Sequence, residues 1–88
     1  GSHMYVIVVY DVNVERVNRV HKLLKTYLFW RQNSVFEGEL SKAQLYELEM
    51  RLKRIVKEDD SVLIYIFPGK NFDLHVVGRD KSPVEMII

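Results

Sequence analysis

Met4-Tyr5-Val6-Ile7-Val8-Val9-Tyr10, MYVIVVY, is an unbroken apolar and aromatic run rich in β-branched side chains. Such side chains are stiff at χ1 and fit a pleated surface, and the run is too short for a buried helix. Because it lacks alternation it reads as a central strand covered on both faces. Asp11-Val12-Asn13 breaks the run, and Val17, Val20, Leu24, Tyr27 and Leu28 then recur at helical spacing up to about Phe29. Asn13 suits the N-cap of that helix, and Glu15 suits its first turn, where a carboxylate meets the positive end of the helix dipole.

Downstream, Ser34 to Leu40 (SVFEGEL) is a short β-like segment with Ser34, Phe36, Gly38 and Leu40 on one face. Ser41-Lys42-Ala43-Gln44 has the form of a capping box, followed by Leu45, Leu48, Leu52, Ile55 and Val56 on one side of a second amphipathic helix. Glu58-Asp59-Asp60 closes that helix in a polar turn. Ser61 to Phe67 (SVLIYIF) is a second near-continuous apolar strand. Pro68-Gly69-Lys70-Asn71 supplies turn chemistry before a strand over Phe72 to Gly78, with Phe72, Leu74 and Val76 on one face. The tail Val84 to Ile88 (VEMII) is β-prone and unusually apolar for a terminus.

This order condenses to an α+β, split-βαβ, ferredoxin-like sheet. The two apolar strands form its centre, the other two lie outside, and both helices cover one face through right-handed crossovers. That topology needs a hairpin before the second helix, yet Trp30 to Leu40 shows only one clear strand. The opposite sheet face has no helix to cover it, which predicts burial against a second copy, with the tail strand adding to the partner's edge.

Composition bounds the rest. At 88 residues the chain makes one small domain, and 48% apolar residues with a net charge of +1 exclude intrinsic disorder. The absence of cysteine excludes a disulfide framework, a thiolate zinc site and a cysteine nucleophile. No apolar run approaches the roughly 18 residues of a membrane span, and there is no secretory pattern, so the expected compartment is the cytoplasm, with no membrane partner. Gly1-Ser2-His3 reads as a tag remnant ahead of Met4, leaving residues 4–88 as a single domain. Near-neutral charge does not announce nucleic acid, so a basic face has to come from charge placement.

Asp11 stands at the carboxyl end of the first apolar strand, where open sheets often place working groups, although a capping or turn role is the commoner use of Asp there. In a two-fold dimer, two copies of Asp11 near the axis would repel unless a cation lay between them. Mg2+, or Mn2+, with waters completing its octahedron, could there position a hydrolytic water against phosphate. Tyr10 fits a core role, and its position beside Asp11 also allows its hydroxyl to sit at the strand end. Arg16, Arg19 and Lys22 form a basic strip on the first helix that starts beside Asp11; Arg31 and the cluster Arg51, Lys53, Arg54 and Lys57 could extend it. A solvated face is the commoner fate of such a strip, and phosphate positioning its natural function. His21 and His75 have no partner at a metal-binding interval, and Ser34 lacks a nucleophile-elbow context.

Three stretches, Tyr5 to Val12 (YVIVVYDV), Gln32 to Gly38 (QNSVFEG) and Asp60-Ser61-Val62 leading into a tyrosine-bearing strand, together resemble the CRISPR-associated protein two family. The resemblance spans Met4 to Ile88. It implies a ferredoxin-like βαββαβ homodimer formed through the sheet face, with residues 84–88 as an extra C-terminal strand pairing with the other subunit. It also implies that Phe29 to Arg31 belongs to a strand joined with Ser34 to Leu40. The implied role is spacer acquisition, as a central dimer between CRISPR integrase dimers on duplex DNA, with Mg2+- or Mn2+-dependent endonuclease activity on double-stranded DNA or single-stranded RNA in some members.

Carried over residue by residue, Tyr10, Asp11, Arg19 and Phe36 match family positions tied to activity, with Asp11 as the metal residue. The expected catalytic residues are therefore Asp11 and Tyr10, and the expected nucleic-acid contacts are Arg16, Arg19, Arg31 and Phe36. An arginine often found six residues before the phenylalanine is Trp30 here, with Arg31 next to it. Other readings stay open: a non-catalytic DNA-binding adaptor of the integrase, a toxin-like ribonuclease, and a regulatory sheet domain that binds a small ligand.

Overall fold

The computed structural model describes residues 3–67 and 73–79. Its elements are β1 (His3–Asp11), α1 (Val14–Tyr27), β2 (Phe29–Gln32), β3 (Val35–Ser41), α2 (Lys42–Ile55), β4 (Ser61–Phe67) and β5 (Asp73–Gly78). They form one five-stranded sheet in the order β2-β3-β1-β4-β5, with every neighbouring pair antiparallel. The first four strands have the ferredoxin-like order, and β5 extends the β4 edge. The two apolar runs do lie side by side at the centre, with Val8 opposite Ile64. The tail over residues 84–88 and the turn at 68–71 lie outside the described residues.

Both helices begin as their capping residues dictate. The Asn13 side chain accepts from the Glu15 amide at 3.0 Å. At α2, Ser41 accepts from the Gln44 amide at 3.1 Å while Gln44 accepts from the Ser41 amide at 2.9 Å, satisfying two donors that a helix start otherwise leaves unpaired. Each helix stops where the next residue turns extended, Leu28 after α1 and Val56 after α2, and each of these still donates to the carbonyl four residues back. The first helix therefore ends before Phe29, which opens β2.

That short strand supplies the missing half of the hairpin. Asn33 turns the chain at φ 42°, the Trp30 indole donates to the Asn33 carbonyl at 2.9 Å, and the register slips between Trp30 and Gln32.

Along β1 the side chains alternate between two environments. Met4, Val6, Val8 and Tyr10 are buried under α1 and α2, where Val20, Leu24, Leu45, Leu48 and Leu52 meet them. Emptying one such leucine site to alanine costs about 2–5 kcal/mol. Tyr5, Ile7 and Val9 point the other way, beside Leu63, Tyr65 and Phe67 of β4 and the exposed Leu74 and Val76 of β5. The helices thus supply one of the two covers expected for β1, and the other is the face that the sequence reading gives to a second copy. Among the described residues the helices cover one face only, and the continuous apolar run reflects a second face that is apolar yet open.

Candidate functional site

Asp11 is the last residue of β1, exposed, and paired in register with Ser61. Its predecessor lies on the other side of the sheet. Tyr10 is 5% exposed, and its hydroxyl lies 3.1 Å from His21 Nδ1. Its backbone amide donates to the Ser34 carbonyl at 3.1 Å, which ties the β2–β3 turn to the end of β1. Burial pushes the Tyr10 phenol above its usual range, against a lowering hydrogen bond from Ser34. Successive strand residues face opposite ways, so the Tyr10 and Asp11 side chains leave β1 on opposite sides of the sheet.

Phe36, the aromatic expected at nucleic acid, lies inside the core. It is fully buried at 0% exposure, with its ring edge-on to His21 at 5.0 Å and tilted against Tyr10 at 6.1 Å. A base cannot stack on it without opening the core. The ring instead fixes the imidazole that meets the Tyr10 hydroxyl.

The three arginines go different ways. Arg19 is exposed on α1. Arg31 is exposed on β2 with its Nε 3.3 Å from a Glu37 oxygen; Glu37 lies in register opposite Phe29, on the open face of the sheet. Asp11 and Arg31 therefore share that face, with β3 between their strands. Arg16 turns inward. Its Nε donates to Asp60 Oδ2 at 2.6 Å and its Nη2 to Oδ1 at 3.1 Å, so most of its fork is occupied within the fold instead of continuing a strip toward a phosphate.

Asp60 is the residue that sequence reasoning missed. Read as one of three polar turn residues, it is in fact completely buried. Besides the Arg16 fork it accepts from the backbone amides of Asn13 and Lys57, each at 2.9 Å. The Arg16 hydrogen bonds hold its carboxyl far below the usual carboxylate range, against the opposing effect of burial and with help from the two amides. Nothing in the local sequence separates Asp60 from Glu58 or Asp59; only its place directly before an apolar strand hints at burial.

Asp11 offers a single carboxylate, and among the described residues no three His, Asp or Glu side chains cluster in a way that could hold a metal ion. That donor set fits Mg2+ or Mn2+ better than zinc, because these ions are commonly held by one or two carboxylates with water and phosphate oxygens completing the shell.

An antiparallel α+β sandwich with one helical layer, an open apolar face and an exposed strand-end carboxylate defines a ferredoxin-like domain with an acidic strand end as its candidate centre. Comparison with known proteins sharpens this class. Residues 4–74 match the family model described as CRISPR associated protein Cas2. The chain is 48% identical over 87 residues to the CRISPR-associated endoribonuclease Cas2 of Methanothermobacter thermautotrophicus, covering 97% of this chain and 96% of that protein. It is 58% identical over 81 residues to the CRISPR-associated endoribonuclease Cas2 2 of Archaeoglobus fulgidus, covering 90% and 88%. Among solved structures, the hypothetical protein TT1823 from Thermus thermophilus superposes with a TM-score of 0.64 at 30% identity, covering 81% of this chain and 85% of that one. The chain belongs to the Cas2 family.

Proposed function

We propose that this protein is a metal-dependent endonuclease of CRISPR adaptation that hydrolyses phosphodiester bonds, acting as a homodimer. The observation that carries this reading is the exposed carboxylate of Asp11, held at the end of a rigid central strand on the open sheet face. The relatives' names, endoribonucleases, favour RNA as the strand cut, with duplex DNA as the other candidate substrate. A bound Mg2+ or Mn2+ would supply charge neutralisation at phosphate and a more acidic water.

The protein's own part is to hold Asp11 in place and to receive the phosphate backbone. Arg19 and Arg31 are the exposed cations for that purpose, and they neutralise phosphate without reading bases. Tyr10 supports the strand end from the covered side through His21. The open apolar face supports pairing with a second copy, because Tyr5, Leu74 and Val76 are each more than a third exposed on it. In such a dimer the two Asp11 carboxylates belong to one assembly. A second reading, a DNA-holding adaptor for the CRISPR integrase, draws support from the single carboxylate that each chain contributes.

The test is cleavage of single-stranded RNA and short duplex DNA with Mg2+, Mn2+ or EDTA, by the native protein and Asp11→Ala. Metal-dependent cutting that vanishes in the variant supports the nuclease. Binding without cutting by a folded native dimer supports the adaptor.

A further inference from the structure

Asp60 is a buried acid outside the proposed chemistry, and its contacts converge on the segment that carries Asp11. From one side, Asp60 Oδ1 accepts the amide of Asn13, two residues beyond Asp11 and the N-cap of α1. From the other, Asp60 adjoins Ser61, the register partner of Asp11 in β4. Its remaining bonds pin it in turn. Arg16 reaches it from the first turn of α1, the Lys57 amide donates from the start of the α2–β4 loop, and the Arg79 amide donates to the Asp60 carbonyl at 2.6 Å.

The approach of β5 at this point is close enough to demand glycine. Gly78 has φ +86°, and a Cβ there would lie 2.2 Å from the Asp60 carbonyl oxygen. Four chain segments, the α1 start, the α2–β4 loop, β4 and the end of β5, are thus tied at one carboxylate and its carbonyl.

We propose that Asp60 is a positioning residue, one that fixes both the strand partner of Asp11 and the chain leaving it, and so sets where the Asp11 carboxylate meets metal and phosphate. This rests on the nuclease reading for its functional consequence, while the positioning itself is independent of it. A carboxylate held from both sides keeps its geometry when a cation and a phosphate arrive, and loosening such a support costs about 10–100-fold in metal affinity or activity.

The experiment compares the native protein with Asp60→Asn, Arg16→Lys and a control, Leu45→Val, whose site lines a cleft with Met4 at the opposite end of β1. Asp60→Asn keeps the volume but replaces one accepting oxygen by an amide. Arg16→Lys keeps the charge and the backbone bonds of Asp60 but loses the fork, so it serves if Asp60→Asn fails to fold. Amide hydrogen exchange at Val12 and Asn13 reads the positioning, and the Mg2+ concentration for half-maximal cleavage reads its consequence.

The expected result is a loss of protection at both amides and a rise in the half-maximal Mg2+ concentration, each of about tenfold or more in Asp60→Asn. Arg16→Lys should show a smaller change in the same direction, and Leu45→Val no specific change. Protection and Mg2+ response that follow Leu45→Val at matched loss of stability overturn the proposal and leave Asp60 as a fold residue only. If the native protein cuts nothing, the nuclease reading falls, and the amide protection alone decides whether Asp60 holds the Asp11 segment.

Discussion

The two faces of the sheet are made from the same strands and yet have opposite fates. Toward the helices, Val6, Val8, Val62 and Ile64 are completely buried, and the polar groups among them, Tyr10 and His21, are hydrogen-bonded to each other. Toward the open side, Tyr5, Leu74 and Val76 are more than a third exposed, although they are just as apolar. Period-two alternation assigns each residue to one face, and a central strand that is apolar on both leaves one face in need of a partner. The same alternation separates Tyr10, which is part of the core, from Asp11, which is available to solvent. Neighbours in sequence can therefore have unrelated work.

The largest effect expected on the covered face comes from Phe36→Ala. The ring is completely buried and packs on both Tyr10 and His21, so its loss should cost about 3–5 kcal/mol in a urea titration. A contribution below about 1 kcal/mol would break the assignment of Phe36 to the core and return it to the nucleic-acid surface.

Next is the acid limb of stability. Asp60 has a folded-state pKa depressed below its unfolded value, so its contribution is complete above the ordinary carboxylate range. As pH falls through about 4, the unfolded chain takes up a proton at this position while the folded one does not, and stability declines until the folded carboxyl is itself protonated. Asp60→Asn should flatten that limb of a stability-against-pH curve, leaving a protein less stable at neutral pH. An unchanged acid limb would contradict the buried, Arg16-paired carboxylate.

On the open face, Val76→Glu places a charge in the exposed apolar patch without entering the covered core. If that face pairs with a second copy, sedimentation should show dimer association weakened by at least about tenfold, with the monomer's unfolding midpoint little changed. A chain that is monomeric before and after the substitution would sharpen the comparison differently, by leaving the open face to some other partner.

How legible each face was follows from what local sequence encodes. The central strands and both helices could be read from apolar runs, the Asn13 cap and the Ser41-Gln44 box, because each of these signals acts within a few residues. The strand Phe29–Gln32 could not, since all its residues are exposed and it exists by pairing with Val35–Ser41; the family resemblance supplied it. What covers the second face of β1 could not be read locally, because a face covered by helices and one left open have the same apolar signature.

At the site, Asp11 was visible as a strand-end acid, and the exposure of Arg19 and Arg31 agrees with a surface position. The inward turn of Arg16 was hidden because its partner lies 44 residues away. Asp60 was hidden for the same reason, since a buried acid is recognised only by donors that the fold gathers around it.

The division of labour between the two faces is tested most directly by measuring cleavage and urea unfolding together for Asp11→Asn and Tyr10→Phe. Asp11→Asn should abolish metal-dependent cutting while remaining folded. Tyr10→Phe should cut within about twofold of the native rate while losing about 1 kcal/mol of stability with the His21 hydrogen bond. Tyr10→Phe that unfolds like the native protein but no longer cuts would contradict that division, by placing the hydroxyl at the reacting phosphate after all.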